Sequence, residues 1–139
     1  MTPLRRIAVI GNSLPRRCGI ATFSTDLQRA ISNSRPNLQT CIVAMTDHDQ
    51  TYDYPASVAL QIKDGSIEEY VGAAAFLNAG RFDIVCLQHE FGIFGGEAGA
   101  HILELLSRLT MPVVTTLHTV LAAPTAAQRA VMERIIEAS

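Results

Sequence analysis

Short, continuous runs of apolar and β-branched residues recur along this chain, separated by longer segments with helical period, and this alternation most constrains the fold. RRIAVIG (5–11), QTCIVAM (39–45) and FDIVCLQ (82–88) read as buried strands, and MPVVTTLH (111–118) as the next strand. SVALQI (57–62) alternates between apolar and polar positions and reads as an edge strand. Between them, residues 21–31 place Phe23, Leu27, Ala30 and Ile31 on one helical face, and 97–109 form another amphipathic helix. Residues 66–80 open with a Ser66…Glu69 capping box and close at a glycine. A last helix follows Pro124, with Thr125…Gln128 as its capping box. Strands that are apolar throughout belong in a parallel sheet covered on both faces. The expected fold is therefore α/β: a Rossmann-like, doubly wound, mainly parallel sheet of about five strands with helices on both faces. Residues 46–56 are the weak point, because two strands are joined there without a helix.

The 139 residues suit a single domain, 1–139, with nearly half of them apolar and 17% charged. A formal charge of -2, with ten arginines scattered among the eleven basic residues, argues against a nucleic-acid partner and a polybasic membrane patch. Cys18, Cys41 and Cys86 are widely spaced and odd in number, which fits a reducing, cytoplasmic setting better than a disulfide framework. No apolar run reaches the length of a signal peptide or a membrane span.

In an open parallel sheet, ligands bind outside the carboxyl ends of the strands. The segments expected there are GNSLPRRCGIATF, Thr46-Asp47-His48-Asp49, His89-Glu90-Phe91-Gly92 and His118-Thr119. Three of the four histidines thus fall at strand exits. The fourth, His101, shares a stripe with Glu104 and Arg108 and reads as solvated surface. Each residue has an ordinary alternative: a strand-end histidine is often a hydrogen-bonded cap, Glu90 can cap the next turn, and Gly92, Gly95 and Gly96 can serve a tight loop. The first loop fits neither G-x-G-x-x-G nor a Walker pattern. Gly19 nevertheless stands at a helix start, where backbone N–H groups and the helix dipole favour an anion, with Arg16 and Arg17 close by.

PRRCGIATFSTDL, LQHEFGIFGGEAG and PVVTTLHTVL, in this order and spacing, resemble the N-terminal domain of a family 4 (group 1) glycosyltransferase of the GT-B fold, over essentially the whole chain. Such enzymes have two Rossmann-like domains facing a cleft. The resemblance implies that this chain is the acceptor-side domain of a longer enzyme, without the C-terminal domain that holds the donor and a pair of glutamates. It implies a nucleotide-diphosphate sugar as donor substrate, a carbohydrate or lipid-linked acceptor, no required cofactor and no metal. Residue by residue, Gly19 matches a loop that approaches the donor diphosphate, with Arg17 beside it, and Cys18 stands where many members have a further glycine. His118, followed by Thr119, matches a histidine that reaches the donor sugar. His89, Glu90, Gly95 and Gly96 fall where members line the acceptor pocket. Members retain anomeric configuration, the leaving phosphate accepting the acceptor's proton, so catalysis would be positioning and charge stabilisation. The chain alone would then be inactive, and apolar surface normally covered by a partner domain would favour self-association.

Two other readings remain open at this stage. One is a non-catalytic module that binds a nucleotide or sugar. The other is a metal-dependent hydrolase using His48, His89, His118, Asp47 and Glu90, although no close histidine pair supports it.

Overall fold

A computed structural model of the chain describes residues 2–139. Five strands, β1 (Arg6–Gly11), β2 (Gln39–Thr46), β3 (Val58–Lys63), β4 (Ile84–His89) and β5 (Val113–Leu117), form one sheet in the order β3-β2-β1-β4-β5. Every pairing is parallel. The helices are α1 (Gly19–Ser34), α2 (Ile67–Ala79), α3 (Ile102–Leu106) and α4 (Ala126–Glu137). This is the expected Rossmann-like α/β architecture, with SVALQI at the sheet edge as anticipated. No helix among the described residues is long and apolar enough to cross a membrane.

The period-two rule decides which strand residues meet which layer. On one face Ala8, Ile10, Val43, Met45, Val85, Leu87 and Val113 pack against Tyr70, Ala74 and Leu77 of α2, Ile102 and Leu105 of α3, and Val131 and Ile135 of α4. On the other face the apolar cluster is small: Val9, Ile42 and Ala44, with Leu27 of α1 and Tyr54 against them. Tyr54 belongs to the segment between β2 and β3, which contains no helix. Its ring does the covering that a crossover helix would do, and its hydroxyl bonds Thr46 Oγ1 at 2.7 Å.

Four local expectations are corrected. Helix α1 does not bury the stripe of Phe23, Leu27, Ala30 and Ile31; the fully buried positions are Ala21, Ser24, Thr25 and Gln28, and Phe23 is 44% exposed. The sheet side of α1 is polar because it has polar partners: Gln28 Nε2 donates to Thr40 Oγ1 at 2.7 Å, and Thr25 Oγ1 accepts from Leu14 N. The Ser66 side chain makes no capping bond; Glu69 instead accepts from Lys63 N at 2.6 Å, tying α2 to the end of β3. The helix expected over 97–109 shrinks to a 3-10 turn and the five residues of α3, because Ala98 and Gly99 take left-handed conformations (φ 52° and 75°). His101 is not a solvated residue; its place is described below. The Thr125…Gln128 capping box of α4 forms as expected.

Candidate ligand site at the strand carboxyl ends

The strand order places β1 beside β4 where the chain changes direction across the sheet, with β2 and β3 to one side and β5 to the other. The exits of these two strands border the crevice that such sheets use for ligands. The β1 exit, residues 12–18, is tied down from within. Arg16 pairs with Asp47 at 3.1 Å, bonds Asn12 Oδ1 at 3.3 Å, and its main-chain N–H returns to Ser13 O. Asn12 and Ser13 are buried. Cys18 caps α1, its Sγ accepting from Ala21 N and from Asn12 Nδ2. Arg17 and Gly19 stay exposed. A Cβ on Gly19 would meet nothing within 4 Å, so packing imposes no demand for glycine there.

Gly11 does face such a demand. A Cβ would lie 2.8 Å from Ser24 Oγ and 3.0 Å from Gln88 Cβ. Its absence lets α1 and β4 close on β1. Gln88 is 1% exposed, and its Oε1 lies 2.9 Å from His118 Nε2. The His118 ring also meets Phe23 edge-on, with centroids 4.8 Å apart. Since Phe23 sits one turn beyond Gly19, His118 and the start of α1 share one side of the sheet.

His89 lies on the other side. Its carbonyl accepts the main-chain N–H of His118 at 3.0 Å, but its ring is enclosed by Phe91 (4.9 Å, edge-on) and Phe94 (5.8 Å, stacked). The residue is 0% exposed, and neither ring nitrogen has a hydrogen-bond partner. Burial lowers its pKa from the ordinary 6.5, with Glu90 opposing and His118 adding to the shift. Glu90 does cap the turn that follows: Oε1 accepts from Gly92 N at 3.3 Å, while Oε2 is buried without a partner. The two strand-end imidazoles therefore stand close through their backbones and do not face one hollow.

Gly95 and Gly96 have a packing reason. A Cβ on Gly95 would be 2.0 Å from Asp64 O, and one on Gly96 (φ 80°) 2.5 Å from His101 Cδ2. His101 is held here by Asp64 O at 3.2 Å and by the edge of Tyr70 at 5.8 Å. Tyr70 Oη donates to Asp64 O at 2.9 Å and accepts from Gly95 N at 3.1 Å. The loop behind His89 is thus fastened to the exit of β3. Thr119 is half-buried just past His118.

The proposed metal ligands are not gathered. His48 pairs with Asp64 at 3.4 Å, Asp47 with Arg16, and His89 is enclosed by aromatic rings. Among the described residues, no group of three or more His, Cys, Asp or Glu is placed to hold a metal ion. The three cysteines are free, and burial pushes the Cys41 thiol up to about 11 and raises that of Cys86, so both remain protonated at neutral pH. Sequence reasoning passed over Gln88 and Ser24, and read Phe23 as core where it is the partner of the His118 ring. A glutamine closing an otherwise apolar strand was the available signal for the first.

No family model matches the chain, and no curated protein matches it. Among solved structures, the chain is similar to an alpha-glucosyltransferase in complex with UDP and a 13-mer DNA containing a HMU base. The TM-score is 0.63 at 16% identity, over 99% of this chain and 36% of that one. The likeness is one of fold, and the chain spans 36% of that enzyme's length. A phosphate-loop protein (TM-score 0.44, 13% identity, 93% of this chain and 87% of that one) and S. aureus homoserine dehydrogenase (0.45, 13%, 96% and 30%) are also similar.

Proposed function

We propose that this chain is the acceptor-side, Rossmann-like domain of a longer retaining glycosyltransferase of family 4, whose donor is a nucleotide-diphosphate sugar. The observation that carries the reading is the meeting of His118, Gln88 and the first turns of α1 at the crevice between β1 and β4. The fold likeness to an alpha-glucosyltransferase crystallised with UDP, and the order of the three sequence motifs, support it.

In this reading the diphosphate approaches the start of α1 at Gly19, where unpaired N–H groups and the helix dipole favour negative charge. Arg17, exposed at the same end, adds a cation. His118 orients a hydroxyl of the donor sugar. The acceptor oxygen bonds to the anomeric carbon on the face from which the diphosphate leaves, and a phosphate oxygen takes the acceptor's proton. The domain contributes positioning and stabilisation of the leaving charge. On the acceptor side the reading assigns Glu90, Thr119 and the Gly95-Gly96 turn together with His89, whose ring nitrogens are unpartnered and enclosed by Phe91 and Phe94.

Release of nucleoside diphosphate from a panel of nucleotide sugars by the full-length protein tests the proposal. Activity that His118→Ala removes without unfolding the protein supports it. Absence of transfer to any acceptor in the panel counts against it.

A further inference from the structure

Gln88 is the residue at this crevice that no motif singled out, and its surroundings are unusually specific. It is the penultimate residue of β4, and its side chain leaves the sheet on the α1 face, opposite to Leu87 and His89. There it is 1% exposed, held against β1 by the missing side chain of Gly11. The amide nitrogen, Nε2, is buried without a hydrogen-bond partner, and the His118 tautomer depends on the amide orientation that turns Oε1 toward the imidazole. Its Oε1 lies 2.9 Å from His118 Nε2, the ring's only hydrogen bond among the described residues. The main-chain bond to His89 fixes the backbone of His118, and the edge contact with Phe23 holds the ring at one further point.

An amide oxygen only accepts hydrogen bonds. A neutral imidazole facing it must therefore carry its proton on Nε2, which leaves the lone pair on Nδ1. We infer that Gln88 is a positioning residue that fixes His118 as the Nε2–H tautomer, so that Nδ1 is presented to the crevice as an acceptor for a ligand hydroxyl. The partner of a neighbouring nitrogen commonly sets which ring nitrogen of a histidine is protonated. The ligand group selected is a donor, such as the hydroxyl of a sugar, in preference to an anionic oxygen, which an unprotonated Nδ1 repels. The link to a sugar rests on the function proposed above; the tautomer itself does not.

Nitrogen-15 NMR of the histidine rings, without ligand and at a pH where they are neutral, tests the inference. His118 should show a protonated Nε2 with a slowly exchanging N–H resonance, and a bare Nδ1. Gln88→Met, which keeps volume and removes the amide, should abolish that slow N–H resonance. Gln88→Glu, whose carboxylate still accepts, should keep Nε2 protonated. A parent protein with the proton on Nδ1 would overturn the inference even if both variants fail to fold, as would a His118 N–H signal unchanged in Gln88→Met. Failure to bind any nucleotide sugar while these ring signals behave as described would remove the proposed function and leave the positioning role intact.

Discussion

The main-chain N–H of His118 donates to the carbonyl of His89 at 3.0 Å, yet the two imidazoles leave opposite faces of the sheet. Parallel pairing of β4 and β5 brings Gln88 opposite Thr116 and His89 opposite Leu117, so the next residue on β5 returns to the Gln88 side. Period-two alternation then separates the rings. One is half-exposed beside α1 and bonded to an amide; the other is enclosed by phenylalanines.

That enclosure has a consequence for stability against pH. The folded-state pKa of His89 lies below the ordinary 6.5, mainly through burial. The unfolded chain, with an ordinary value, binds more protons once the pH falls to that range, so stability declines with acidity. The contribution is complete above the ordinary value and is lost as pH drops toward the folded-state one. Urea midpoints at about pH 7.5 and about pH 5.5 should fall between the two in the parent and fall less in His89→Phe. Equal declines would place the pH dependence elsewhere.

Gly95→Ala should destabilise the fold by about 1–3 kcal/mol, the usual cost of forcing a methyl into a packed site. The added Cβ would sit 2.0 Å from Asp64 O and 2.7 Å from His101 Nδ1. Urea denaturation measures the change, and a loss confined to a few tenths of a kcal/mol would mean that the β3 and β4 exits are not fastened as described.

Tyr70→Phe removes one hydroxyl that serves two partners, Asp64 O and Gly95 N. The buried N–H left behind makes the expected loss about 1–3 kcal/mol. Hydrogen exchange at the Gly95 amide should quicken more than exchange at the centre of β1.

Gly19→Ala separates folding from binding. Nothing lies within 4 Å of the added methyl, and the position opens a helix, so stability should hold or rise by about 0.4–1 kcal/mol. Affinity for a nucleoside diphosphate should nevertheless fall, because the methyl keeps the phosphates from the N–H groups of α1. Calorimetric titration beside a thermal melt reads both effects.

The three central strands and the parallel sheet were legible because burial on both faces leaves a continuous apolar signature, and SVALQI was legible as an edge because it alternates instead. The burial side of α1 was not. Phe23, Leu27 and Ile31 form the stronger apolar stripe, while the residues that meet the sheet are Ser24, Thr25 and Gln28, matched to polar partners that only the fold supplies. The shortened α3 was hidden for a different reason: nothing in the type of residue 98 announces a left-handed alanine. Three strand-exit histidines could be counted from sequence, but not their faces, since those depend on where each strand ends relative to its neighbour. Gly95 and Gly96 looked like freedom for a ligand loop and prove to be close approach to Asp64 and His101.

The most direct test is an amide and imidazole NMR titration of the full-length protein with a panel of nucleoside diphosphates and nucleotide sugars, up to millimolar concentration. The account predicts, for at least one nucleotide of the panel, shifts clustered at Asn12–Ser13, Gly19–Ile20, Gln88 and His118, lost in His118→Ala for the sugar but retained in part for the nucleoside diphosphate. Spectra that stay unchanged, or shifts gathered at the opposite end of the sheet around Leu4 and Leu38, would contradict it.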